Sequence, residues 1–444
     1  MKKNILSNKL KVTSLVFALL LISCMNILSA YSIYEVYNHN QGTFINHHDA
    51  RTAALGGSGV AGGFTAMDSN LNPANLNFLE EKTGMQFNYS LIKNSENRAL
   101  PMYNFFDSYV DESTYARNEN FYNEISFFAF TSLDLITSKI SLGFSYRPLI
   151  NFHADYQEQV RNDENSDADN YPPIIAKNFI ESEGFLDSYN LILNWGNKTV
   201  SIGTEVSLLK GKYDIERRIH WSDYAHEKVG AGVLNDELNM ISNRIDGYGT
   251  KYGVSFQSPL NRRLRIGMTY SPKISLNTDF KENDILVNNS DDFIIPSKLR
   301  FGFLFQPRNP FKTNFQLDME YIKNSEINKF YDNSWSFFVG MEHYVGRAIP
   351  FRLGFRHETS LQDKTIALPV VSAGSGFPLT EKIHLDFSGE YGRREYKALD
   401  LFMDSFYNQP SLWRSIEPKD RGWDNPDIVT ESFFKVFTSL SVKW

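Results

Sequence analysis

The chain has 444 residues, a formal charge of −7 and 14% aromatic side chains, among them 35 Phe and 23 Tyr. That charge gives no electrostatic reason to expect a nucleic-acid partner. Mean hydropathy is −0.36, and past the N-terminus no apolar run is long enough for a membrane-spanning helix, which excludes a helical membrane protein but leaves a barrel open.

The N-terminus reads as an export signal: Lys2, Lys3, Lys9 and Lys11 precede the apolar run Ser14 to Ser23. Residues 1–30 are therefore expected to form a signal peptide, cut after Ala30 in "NILSA". The alternative is "LISC", Leu21 to Cys24, which resembles a bacterial lipobox and would make Cys24 a lipidation site. Cys24 is the only cysteine, so a disulfide or a cysteine metal site is not expected.

Next comes "ARTAALGGSGVAGGFTAMDSNLNPANL", Ala50 to Leu76, with five glycines. A phosphate loop would need a lysine and a strand-to-helix junction, and this stretch has neither. A flexible linker would not carry Leu55, Val60, Phe64 and Met67 among the glycines. The composition fits a segment packed closely in a confined space. Before it, His47, His48 and Asp49 lack a third ligand at metal-binding spacing.

From Thr83 onward the dominant period is two. In "NFQLDMEY", Phe315, Leu317, Met319 and Tyr321 alternate with Asn314, Gln316, Asp318 and Glu320; "FRLGFRH", "LRIGMTY" and "IHLDFSGEY" repeat the scheme. About fourteen strands result, near 83–93, 121–132, 137–149, 186–196, 198–209, 245–257, 262–275, 296–306, 312–322, 334–344, 349–357, 365–375, 382–392 and 432–444. Long connections alternate with short turns, as in outer-membrane barrels. Charge on a lipid face costs roughly 2–4 kcal/mol per side chain at mid-bilayer, and the apolar faces of these strands carry none. The chain ends in "FKVFTSLSVKW", whose terminal Trp444 resembles the signal read by the barrel-assembly machinery. The fold expected is all-β: a transmembrane antiparallel β-barrel of about 14 strands, spanning 83–444.

The Ala/Gly-rich segment followed by Asp68 and by Asn72, Pro73 and Ala74 resembles the N-terminal signature of the outer-membrane long-chain fatty-acid transporter family, FadL-like barrels. "IPSKLRFGF", Ile295 to Phe303, resembles that family's Pro-x-x-x-Arg-x-Gly strand start. The resemblance implies that residues 31–82 form a hatch plugging the lumen, with Gly56, Gly57, Gly59, Asp68, Asn72, Pro73 and Ala74 in the gate. It further implies passive uptake of hydrophobic compounds such as long-chain fatty acids, captured at external loops and released through a gap in the wall. Expected partners are outer-membrane lipid and a hydrophobic small-molecule ligand, with no cofactor.

Loops 150–185 and 210–244 hold the candidate contacts Phe179, Phe185, Trp221, Arg217 and Arg218, although both loops are more charged than a capture groove should be. Wall arginines such as Arg265, Arg300, Arg352 and Arg356 fit an ion-paired lumen better than a carboxylate site. No nucleophile-and-base arrangement emerges, so an enzyme is not expected. "RAIPFRLGFRHE" also resembles the PorV-type branch, whose barrels serve secretion, which keeps a protein-binding role as the alternative.

Overall fold

Alternating sequence becomes continuous antiparallel sheet once each strand can pair on both sides, and closure removes the edges that lipid could not hydrate. A computed structural model describes residues 33–38, 41–106, 108–161, 173–230, 232–259, 262–286, 292–308, 312–345, 349–402, 407 and 426–444. The export signal, both cleavage readings and Cys24 lie outside the described residues.

Fourteen barrel strands follow in chain order. They are β1 Thr83–Tyr103, β2 Tyr109–Asp134, β3 in two pieces (Lys139–Asn151 and Ala154–Arg161), β4 Ile174–Gly196 and β5 Val200–Trp221. Next are β6 Glu237–Gln257, β7 in two pieces (Leu264–Ser271 and Ile274–Glu282), β8 in two pieces (Phe293–Ile295 and Lys298–Phe305) and β9 Asn314–Ile322. The last five are β10 Ser334–Val345, β11 Ile349–Thr359, β12 Ala367–Pro378, β13 Ile383–Ala398 and β14 Asp427–Lys443. Each pairs antiparallel with its sequence neighbours, and β14 closes on β1 from Ile428 opposite Ala99 to Lys443 opposite Gly84. All fourteen expected strands are present.

Several are much longer than the sequence suggested. β5 has 22 residues, about 70 Å of chain at 3.3 Å per residue, against an apolar bilayer core of about 30 Å. Even steeply tilted, it must project beyond the lipid. Residues 174–185 and 210–221, read as loop from their charge, are strand.

The faces of β5 explain why. Along its first half Val200, Ile202, Val206 and Leu208 point out and are exposed, while Ser201, Glu205 and Ser207 are buried inward. Past Leu208 the polarity reverses. Lys210, Lys212, Asp214, Glu216 and Arg218 now point out, while Leu209, Tyr213, Ile215, Ile219 and Trp221 are buried inward. β6 reverses at the same level, since Lys210 pairs opposite Asp246 and Ile245 is buried. Below this line β5 is apolar outside and polar inside; above it, the reverse. The line marks where the lipid-facing band ends.

Candidate functional site

The polar half of the lumen is filled by the N-terminal segment. A short helix α1, Ala50–Ala54, is capped by Asp49, whose carboxylate accepts the Thr52 N–H at 3.2 Å. Its Arg51 forms a two-pronged pair with Glu342 on β10, at 2.7 and 2.9 Å, and Glu342 also accepts from Arg352. Burial pushes the Asp49 carboxyl up to about 7, helped by the neighbouring Asp68 charge and opposed by the Thr52 hydrogen bonds. Burial holds His47 and His48 below the ordinary imidazole range; His47 Nε2 lies 2.8 Å from Glu390.

The residues expected at the gate come together here. Gly56 and Gly57 adopt φ of 66° and 83°, conformations open to glycine at little cost. Gly56 N–H donates to Ser372 on β12, Gly57 C=O accepts from Arg300 on β8, and Gly59 and Val60 N–H donate to Asp318 on β9. Asp68, at the start of helix α2, Asp68–Leu71, gathers the N–H groups of Gly63, Phe64 and Thr65 and the Thr52 hydroxyl. Asn72 precedes Pro73 with extended backbone and caps the 3₁₀ turn Pro73–Phe78 through the Ala74 N–H, while its amide donates to Val60 C=O and Ser255 on β6. The backbone groups of an irregular segment are thus satisfied by buried side chains of the segment and the wall.

The wall is shaped for this segment. Gly203, Gly253, Gly267, Gly302, Gly340, Gly354 and Gly374 lie on β5 to β8 and β10 to β12. A Cβ on Gly302 would meet Val60 Cβ at 2.7 Å; one on Gly340 would meet Leu55 Cβ at 2.7 Å; one on Gly374 would meet Ala54 Cβ at 2.6 Å. On Gly203 and Gly253 it would run into Pro73. This belt traces the path from Ala54 to Pro73 around the lumen. Its glycines stand in the strand sequences, but their common partner is more than a hundred residues away.

Above the segment the lumen holds a large apolar cluster beside the ion-paired Arg98 and Arg394. Phe152 stacks on Tyr213 with centroids 4.4 Å apart and meets Phe293 edge-on at 5.9 Å; Trp221 packs on Tyr407 at 5.7 Å. Of the candidate contacts, Trp221 lies in this cluster, and Arg217 stacks over Phe402 at 4.3 Å. Phe179, Phe185 and Arg218 are on the outward register instead, with Arg218 over the Phe179 ring and paired to Glu181. The wall arginines are held by acids: Arg300 by Asp318, Arg352 by Glu342 and Asp386, Arg356 by Glu358 and Glu390. Arg265 lies over Phe78 and donates to Gly62 C=O. Two cavities separate the polar segment from the apolar cluster, of about 170 Å³ beside Phe44 and Arg394 and about 110 Å³ beside Arg147 and Lys251.

Beside the cluster the wall is broken. Pairing of β2 with β3 runs from Asp134–Lys139 to Phe127–Tyr146 and, among the described residues, goes no further. β3 stays with β4 and bends inward through a one-residue bulge: Ile140, Leu142 and Phe144 face out and are exposed, Pro148 on their register is buried, and Ile150, past the bulge, pairs with the inward Leu186. Thr43 and Phe44 of the plug pair with Asn151 and Ile150 on the bent strand. Higher up the strands rejoin through side chains, Asn120 to Asp155 C=O and Gln157 N–H to Asn118. Only Pro148 hinted at this in the sequence.

The sequence matches no known protein-family model and no curated protein. Its architecture is that of solved FadL-type barrels. It is similar to a Pseudomonas aeruginosa FadL homologue (TM-score 0.58, 13% identity, 90% of this chain and 99% of that one). It is similar to the Pseudomonas putida toluene transporter TodX (0.58, 12%, 90% and 99%) and to the Ralstonia pickettii toluene transporter TbuX (0.52, 13%, 92% and 100%). At such identities the likeness establishes a shared fold.

Proposed function

We propose that this chain is an outer-membrane channel for passive uptake of hydrophobic compounds, gated by the hatch at 31–82. The observation that carries the reading is the reversal of polarity above Leu208: β5 and its neighbours turn apolar side chains into the lumen beyond the lipid band, which makes an apolar receptacle facing the cell exterior. A ligand that buries about 200 Å² of apolar surface there gains about 5 kcal/mol over water. The break between β2 and β3 then offers release sideways into lipid, sparing the ligand a passage through the ion-paired lower lumen. Toluene transporters among the solved barrels of this fold favour the same class of ligand. Long-chain fatty acids and small aromatics both belong to it, and Trp221, Arg217 and Phe402 are the first contacts we assign.

The test is uptake of ¹⁴C-oleate and ¹⁴C-toluene by cells with an intact outer membrane, with and without the chain, alongside mass spectrometry of small molecules retained in mild detergent. Faster uptake of either compound is expected. Unchanged uptake together with a stoichiometric co-purifying protein would sink the channel in favour of a secretion role.

A further inference from the structure

A second discontinuity lies four strands further round the barrel. Pairing of β6 with β7 runs from Gln257–Arg265 to Tyr252–Tyr270, stops, and resumes at Asp246–Asn277, leaving five residues of β6 opposite six of β7. β7 keeps β8 throughout: Ser271 faces Lys298, and Ile274 and Leu276 face Ile295 and Phe293. Pro272 has no N–H to offer, and the extra residue turns the strand over, so that Tyr270 faces lipid while Leu276 is buried in the lumen.

Across the interval β6 carries Gly247 and Gly249. A Cβ on Gly247 would meet Leu276 Cδ2 at 2.6 Å, and one on Gly249 would meet Ile274 Cδ1 at 2.6 Å. Apolar side chains of one strand thus lie on bare backbone of the other, where elsewhere a ladder of hydrogen bonds seals the wall. On the outside, Tyr248 is 74% exposed, against 42% for Leu208 and 51% for Tyr252 beside it. Lys210 and Asp246, just above, place the interval at the outer-leaflet edge of the lipid band.

We propose that this interval is a second lateral opening, shuttered by Ile274 and Leu276, through which an uncharged apolar ligand passes between the lumen and the outer leaflet. The inference rests on the channel reading above. The 110 Å³ cavity is lined by Arg147 and Leu149 from the first break and by Ser271, Pro272 and Ile274 from the second. Phe152, on the first inward bend, touches Phe293, which pairs opposite Leu276. One compartment therefore reaches both breaks, with Phe44, Ile45 and Leu71 of the hatch along its wall. An apolar cavity of about 150 Å³ holds a benzene ring; this one is smaller and carries Glu205, Lys251 and Lys298 opposite Leu149, Leu209 and Ile274, so a swing of Ile274 must widen its apolar side to admit a single aromatic ring.

A disulfide can lock the shutter. A Cβ at Gly247 would stand 3.8 Å from Leu276 Cβ, within the roughly 3.5–4.5 Å of a good disulfide. In cells carrying Gly247→Cys with Leu276→Cys, the oxidised form should take up ¹⁴C-toluene at half the reduced rate or less, with recovery on adding dithiothreitol. Equal rates with the crosslink verified on gels would overturn the second opening and leave the channel standing. A wild-type chain that moves neither toluene nor oleate would overturn both. Should the double variant not assemble, photolabelling of the wild-type chain with a diazirine-bearing alkylbenzene decides. Labels at Tyr248–Lys251 and Pro272–Leu276 are expected, and labels confined to Arg147–Phe152 would refute the proposal.

Discussion

Asp49 caps α1 from a fully buried position, and its displaced carboxyl ties docking of the hatch to pH. The docked segment keeps a proton there that the released segment gives up above 3.8. This contribution to docking is complete below 3.8 and is lost as the pH climbs through about 7. The buried His47 and His48 work the other way: their contribution is complete above 6.5 and is lost as the pH falls through their lowered values. Comparing wild type with Asp49→Asn at each pH cancels the histidines, and Asn is an equally good cap. Asp49→Asn should protect the amides of 50–71 from hydrogen exchange about tenfold better than wild type at pH 8, some 1.4 kcal/mol, with the advantage shrinking as the pH falls and gone below 3.8. An advantage that grows on acidification would refute the assignment.

The hatch and the wall are complementary as elements. Gly340 is the sharpest place to test this, because Leu55 fills the space a side chain would take. Gly340→Val suits a strand but overlaps the hatch, a clash costing about 1–3 kcal/mol. The barrel should keep its heat-modifiable mobility while hatch amides lose protection and cells become sensitive to vancomycin. Normal protection would mean that the belt does not position the segment. The strands themselves were legible because their period of two is local. Asp68, Asn72 and Pro73 were legible through the resemblance, whereas the glycine belt and both wall breaks were not, since each depends on partners distant in sequence. The reversal in β5 was there to be read: Tyr213, Ile215, Ile219 and Trp221 alternate with Asp214, Glu216, Arg218 and His220. Charge density made the stretch look like loop because the apolar face was expected to stay outside.

For the whole molecule that reversal fixes depth in the membrane. With Cys24 replaced by Ser, a spin label at Leu208→Cys should be relaxed mainly by oxygen and one at Lys212→Cys mainly by a water-soluble nickel chelate, about 13 Å further along the strand. Equal oxygen access at both sites would show that the lipid band ends elsewhere. The hatch also has a part to play in how the barrel is put together. It enters β1 directly, yet Ala50 N–H donates to Ser439 on β14 and Met67 N–H to Gln86 on β1, on the two sides of the seam where the first strand made meets the last. Arg51 and Gly59 reach further, to β10 and β9. The plug is thus a strap across the joint. It binds the late strands from an attachment on the earliest one, so that once β14 arrives, β1 is already held near its partner and seam closure becomes an intramolecular event at high effective concentration.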